Sequence, residues 1–257
     1  MAAEQSADRL RADRRGKIAL VGSGEFLPGM DPVDQALLAG IAGQPVVAIV
    51  PTASAPDGDA VFNRWLRQGV EHFGRLGATA VPIPLKTRAD AERADFAAEI
   101  ARSTFVYLSG GKPSYLRDTL ASTPCWEAIA GVFARGGVVA GCSAGAMILG
   151  AATFDFRQPT LHRPALGLAP GVIVIPHFDE VPRLFGGLLD RLTDLIIPDG
   201  TTLVGVDGYT ALVYEPDSAF AATPNPWRVS GRGGVTVFAG RHRVAYTDGQ
   251  VVPLAAS

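Results

Sequence analysis

At 257 residues the chain can bury a full core in one large domain, and its 47% hydrophobic share and formal charge of −2 provide no basic excess for nucleic acid. Its two cysteines, Cys125 and Cys142, stand in apolar surroundings without paired spacing, which points to neither a disulfide framework nor a zinc site and fits a reducing cytoplasm. The longest apolar stretch, 137–152, is interrupted by Gly137, Gly141, Ser143 and Gly145, which argues against a membrane span.

Residues 1–16 are rich in Arg, Asp and Ala and hold no apolar segment of the secretion-signal type. They are expected to form a disordered extension, leaving 17–257 as a single α/β domain. Lys17 to Val21, Val46 to Val50, Thr79 to Ile83 and Thr104 to Leu108 are short β-branched and aliphatic runs closed by turn residues, as in buried parallel strands. Helical periodicity fills the intervals over Asp31 to Leu38, Asp59 to Leu76, Arg88 to Ala101, Ser114 to Leu120 and Cys125 to Ala134. His72 falls in the second of these helices, beside Trp65 and Phe73, as a surface or half-buried residue. Val138 to Gly141 supplies a fifth strand. This alternation predicts a doubly wound, mostly parallel sheet flanked by helices, with ligands gathered at the carboxyl ends of its strands. Those ends are Gly22-Ser23-Gly24-Glu25, Pro51-Thr52-Ala53-Ser54 and Ser109-Gly110-Gly111-Lys112.

The second half starts with a loop around Thr153 to Pro170, then a strand near Val172 to Ile175 and a helix from about Val181 to Ile196. Leu203 to Val206, Ala211 to Tyr214, Gly234 to Phe238 and Val244 to Tyr246 read as short strands and hairpins. They predict a β-rich C-terminal edge to the sheet, which also offers a contact surface for a homodimer.

The fifth strand runs directly into Gly141-Cys142-Ser143-Ala144-Gly145-Ala146 and then Met147-Ile148-Leu149, a strand, sharp turn and helix with Ser143 at the bend. A G-x-S-x-G bend needs glycine on both sides, because a side chain at either neighbour would collide with the adjoining strand or helix. The hydroxyl is then exposed at a helix N-terminus, where the free N–H groups favour developing negative charge. A small-residue junction packed for its own sake would share the pattern, so the surrounding residues decide.

A serine hydroxyl needs a base within hydrogen-bond reach before it can attack a carbonyl. Four histidines are available. His72 is a helix residue, His162 adjoins Arg163, and His242 lies between Arg241 and Arg243. His177 follows Val172-Ile173-Val174-Ile175-Pro176, at the end of a strand that should open on the same edge as Ser143. It is therefore the expected base. Two N–H groups must also converge on the oxyanion: Ala144, after the serine, supplies one, and the Gly110-Gly111 pair, with Gly111 as donor, the other.

With Ser143, His177 and the glycine pair in place, the chain resembles the cyanophycinase and aspartyl dipeptidase family of serine peptidases. The resemblance covers Gly22-Ser23-Gly24-Glu25, Leu108-Ser109-Gly110-Gly111, G-C-S-A-G-A at 141–146, G-L-A-P-G-V at 167–172, P-H-F at 176–178 and V-G-V-D-G-Y-T-A-L at 204–212. It implies a class I glutamine amidotransferase-like fold, a Ser-His-acid triad, and hydrolysis of peptide bonds next to acidic residues.

Two departures qualify that implication. The family's triad glutamate aligns with Gly208, so the expected carboxylate is absent; the candidates to replace it are Asp179, two residues after His177, and Asp207, and a Ser-His dyad without an acid is the third option. Cyanophycinases also carry a glutamine after the glycine pair, an acid-glutamine pair before the histidine and several arginines after it. Here those places hold Lys112-Pro113, Ile175-Pro176 and only Arg183. Cyanophycin is accordingly not the expected substrate. Gly110, Lys112 and Arg183 instead suit a small peptide or amide bearing one carboxylate. The expected reading is a cytoplasmic serine hydrolase of peptidase type that uses no metal or organic cofactor. Two alternatives stand beside it: a catalytically silent relative that binds a ligand or partner, and an α/β-hydrolase-type esterase using Ser143, Asp207 and His242.

Overall fold

The computed structural model describes residues 16–154, 162–181, 200–216, 226–239 and 242–254. The expected extension over 1–16, apart from Gly16, lies outside them, as does nearly all of the helix expected over 181–196, including Arg183.

The first half follows the alternation. Strands β1 (Lys17–Val21), β2 (Val46–Val50), β3 (Thr79–Pro82), β4 (Phe105–Leu108) and β5 (Val138–Cys142) alternate with helices α1 (Asp31–Ala39), α2 (Asp59–Arg75), α3 (Arg88–Ala91), α4 (Ala94–Arg102), α5 (Pro113–Leu120) and α6 (Pro124–Ala134). After β5 the chain turns at once into the short helix α7 (Ala144–Leu149). The single helix expected over 88–101 is broken in two. Thr87 and Asp90 form a capping box that starts α3, and Arg93 leaves helical space at φ −74° and ψ 127°. Ala91 and Ile100 are both fully buried, yet they would face opposite sides of one continuous helix, and the break lets both reach the core.

β1 to β5 are parallel and stand in the order β1-β5-β4-β2-β3. Their side chains alternate between two cores: Ile18 and Leu20 pack on one side, Ala19 and Val21 on the other. The C-terminal segments, expected together at the edge of this sheet, divide between that edge and a second sheet. Two short strands, β6 (Ala152–Phe154) and β7 (His162–Pro164), pair with each other. Of the rest, β10 (Thr210–Tyr214) lies antiparallel on β1, with Ile18 opposite Tyr214, followed outward by β11 (Pro226–Gly231) and β14 (Val251–Pro253). With that edge taken, β8 (Val172–Pro176), β9 (Thr202–Val206), β12 (Val235–Ala239) and β13 (His242–Tyr246) form a separate sheet in the order β13-β12-β9-β8. It is apolar on both faces. Val174, Val204, Val206, Val235 and Val237 join the core of the main sheet, while Ile173, Ile175, Leu203 and Phe238 pack with Met147 and Phe178. Among the described residues no helix is long and apolar enough to cross a membrane.

His72 is not a surface residue. It is 3% exposed, with Nε2 2.8 Å from Oδ2 of the fully buried Asp34, and it packs among Phe26 and Phe73. Burial pushes the Asp34 carboxyl up, against the opposing bond and charge of His72. In the same core the Tyr107 hydroxyl is buried without a hydrogen-bond partner among the described residues. An unpaired buried hydroxyl costs about 1–3 kcal/mol, so Tyr107→Phe is expected to raise the urea midpoint. A lowered midpoint would mean that the hydroxyl has a partner after all.

Candidate active site

The bend at Ser143 is built as its glycines require. A Cβ on Gly141 would lie 2.4 Å from the Gly145 carbonyl carbon, and one on Gly145 would lie 2.3 Å from the Leu108 carbonyl oxygen. The turn thus packs backbone against backbone, and Ser143 is held at φ 50° and ψ −109°, a strained conformation for a residue with a side chain. Its N–H donates to the Val21 carbonyl at the end of β1, over 2.9 Å.

His177 arrives from the other sheet. It follows β8 and has φ 140°, also in the region that favours glycine. Its neighbour Phe178 anchors it: the Phe178 N–H donates to the Val206 carbonyl over 3.1 Å, and the ring lies against Gly205, where a Cβ would come within 2.3 Å of Cγ. The ring also meets Phe238 edge to face at 5.5 Å. The result is a 2.6 Å contact between Ser143 Oγ and His177 Nε2, within hydrogen-bond range and suited to proton transfer.

The carboxylates are placed differently. Asp179 Oδ1 accepts the Gly208 N–H at 2.9 Å, and no carboxylate among the described residues hydrogen-bonds the His177 ring. A Cβ on Gly208 would lie 3.6 and 3.8 Å from the two Asp179 oxygens and 3.0 Å from Ser23 Oγ. Asp179 therefore occupies the space into which a longer residue at 208 would grow. Asp207 Oδ2 accepts the Gly234 N–H at 2.8 Å. Partial burial raises the Asp207 carboxyl and the nearby Asp179 charge adds to this, against the Gly234 and Asp179 N–H donors.

The glycine pair abuts the serine, with a Cβ on Gly110 falling 3.3 Å from Ser143 Cβ. Gly111 has φ 142°, and a Cβ there would meet the Ala53 carbonyl oxygen at 2.3 Å, so only glycine fits. The Gly111 and Ala144 N–H groups have no acceptor among the described residues. Gly110, by contrast, donates its N–H to Glu25 Oε1 over 2.9 Å. Lys112 is half-exposed, with Nζ 3.2 Å from Asp57 Oδ1, an exposed pair of small energetic weight. Arg183 lies outside the described residues. His242 is exposed at the start of β13, on the outer strand of the second sheet, and the order Ser143, Asp207, His242 forms no constellation comparable to the Ser143–His177 contact.

Two residues of the Gly22-Ser23-Gly24-Glu25 loop, quoted above as a strand end and a motif without individual roles, also meet here. Glu25 lies beneath the bend at 7% exposure, with its second oxygen 2.8 Å from Cys142 Sγ. The signal was an acidic residue in a loop at the carboxyl end of a buried strand. Ser23, in the same loop, bridges to Gly208. Cys142 itself is fully buried, and burial followed by the Glu25 charge pushes its thiol well up, so it stays protonated and inert beside the serine.

The model of peptidase family S51 matches residues 18–221. A cyanophycinase from Synechococcus elongatus is 31% identical over 214 residues, a match that covers 79% of this chain and 61% of the relative, so the chain spans about three fifths of that relative's length. A cyanophycinase from Geminocystis herdmanii is 29% identical over 213 residues, covering 79% of this chain and 72% of that protein. Among solved structures, a peptidase from an acI-B1 Actinobacterium is 30% identical with a TM-score of 0.83, covering 94% of this chain and 98% of that one.

Proposed function

This chain belongs to peptidase family S51, and on that footing we propose that it is a serine hydrolase cleaving a peptide or amide bond in a small acidic substrate. The observation that carries the reading is the 2.6 Å approach of Ser143 Oγ to His177 Nε2 at a strained bend. Ser143 Oγ attacks the carbonyl carbon while His177 Nε2 takes its proton. The oxyanion is held by the Gly111 and Ala144 N–H groups, worth about 3 kcal/mol each in related chemistry. The C–N bond breaks as His177 returns the proton to the departing amine. Water, deprotonated by the same imidazole, then releases the acyl group and restores the serine.

Asp179 is the better placed of the two candidate acids. Each has one oxygen engaged by a backbone N–H, but Asp179 occupies the space beside Gly208, where the family's glutamate would grow. Asp179 stands two residues after His177 and makes no hydrogen bond to the ring, so in this reading it acts through space and not through the direct bond of a triad acid. Lys112 serves the substrate side in this reading, beside the close backbone approach that Gly110 allows, and Arg183 is carried over from the sequence alone as a further partner for a single carboxylate. Cyanophycin, for which more arginines are expected, is not the proposed substrate.

Mass spectrometry after exposure to a fluorophosphonate tests the reading. A single adduct on the native chain, absent from Ser143→Ala, is the expected result. Asp179→Asn should slow labelling about tenfold or more, with Asp207→Asn staying within about threefold of the native chain. The absence, among the described residues, of a carboxylate bond on His177 favours a second reading, a silent relative that keeps the pocket for a ligand. No adduct on the folded native chain would decide for it.

A further inference from the structure

We infer that Glu25 is a positioning residue that sets the oxyanion hole, a role that rests on the hydrolase reading above. Glu25 is buried under the bend and both of its oxygens are engaged from within the protein: Oε1 by the Gly110 N–H at 2.9 Å and Oε2 by Cys142 Sγ at 2.8 Å. These donors belong to the two loops that meet at the site. Cys142 immediately precedes the nucleophile, and Gly110 immediately precedes the Gly111 donor. One carboxylate therefore ties the serine bend to the glycine loop.

A glycine pair is the softest backbone available, and its two peptide planes have wide freedom unless outside groups restrain them. Here the restraints come from both sides. The Lys112 N–H donates to the Ala53 carbonyl over 2.8 Å, fixing the far side of Gly111, and Glu25 takes the Gly110 N–H on the near side. What remains is the Gly111 N–H, the donor of this run without an acceptor among the described residues. By engaging Gly110, Glu25 determines which of the two glycine donors faces substrate. Its own position is rigid. Gly24 has φ 89°, and Phe26, at φ 63°, is wedged against Trp65, Phe73 and Tyr107 with ring centroids 6.2, 6.2 and 5.0 Å away. Both carboxylate oxygens are turned into the loops, where the Gly110 N–H and the Cys142 thiol take them up.

Three variants test this: Glu25→Ala, Glu25→Met and Glu25→Gln. Methionine keeps the length of the side chain but offers no oxygen, and it serves if the alanine variant does not fold. Glutamine keeps an amide oxygen that can still accept from Gly110. The readouts are the rate of phosphonylation of Ser143 and the hydrogen exchange of the Gly110 amide. Alanine or methionine is expected to slow labelling about a hundredfold, the cost of a misplaced oxyanion donor, and to speed Gly110 exchange at least about tenfold. Glutamine is expected to stay within about fivefold of the native chain in both. Labelling of folded Glu25→Ala or Glu25→Met at the native rate would overturn the inference, as would a glutamine variant as slow as methionine. The two levels separate cleanly. A native chain that takes up no phosphonate while Gly110 is protected by Glu25 defeats the hydrolase reading and with it the catalytic purpose of Glu25, leaving a loop restraint. A native chain that is labelled, with the variants labelled equally, defeats the Glu25 role alone.

Discussion

His177→Ala is expected to slow phosphonylation of Ser143 by about 10⁴-fold or more, while the thermal midpoint stays within a few degrees of the native value. The serine hydroxyl is too weak an acid to react unaided, and in the proposed reading the imidazole 2.6 Å away takes its proton. The fold should tolerate the change. His177 is held by its neighbours, through the Phe178 N–H bond to Val206 and the Phe178 ring on Gly205, and alanine at φ 140° is no more strained than histidine. His72, which is buried, should behave in the opposite way. His72→Ala removes the partner of a fully buried Asp34 and should cost about 3 kcal/mol of stability, read as a lower urea midpoint, with labelling of the folded fraction unchanged. If His72→Ala lost reactivity while His177→Ala kept it, the assignment of the base would be wrong.

Gly145→Ala is expected to destabilise the chain by about 3 kcal/mol, read as a lower denaturation midpoint, and to slow labelling of the folded fraction sharply. The added methyl would lie 2.3 Å from the Leu108 carbonyl oxygen, which belongs to the backbone of a central strand and cannot swing aside. To fit it, β4 and α7 must separate, and that movement opens the bend holding Ser143. Gly74→Ala provides the contrast. Gly74 lies within α2, and no atom stands within 4 Å of a Cβ placed there. Alanine should therefore stabilise it by about 0.5–1 kcal/mol through lower chain entropy and better helix propensity. Chemical denaturation of the two variants separates collision at the bend from a general intolerance of alanine.

Much of the first half was legible because its information is local. Val46 to Val50 and Val138 to Cys142 are apolar on both faces, as strands covered by helices must be, and the glycines of the serine bend announce a turn that no other residue type permits. The break at Arg93 was not legible, since the periodicity of 88–101 suits one helix and the need to bury both Ala91 and Ile100 becomes visible only against the packed core. The second sheet was hidden for a related reason. Alternating β segments say which residues face inward but not which strand they join, and β10 occupying the edge of β1 leaves β8, β9, β12 and β13 to pair among themselves.

By itself the sequence determined the parallel α/β core, the serine at its bend and the histidine at the end of β8, because each is encoded by neighbours a few positions away. Tertiary structure alone decided that His177 reaches Ser143 from a different sheet, that Asp179 takes the Gly208 N–H, that His72 is buried against Asp34, and that Glu25 joins the two loops of the site. Each of these depends on residues from 29 to 117 positions apart along the chain, brought together by strand order and close backbone packing, which no local pattern specifies.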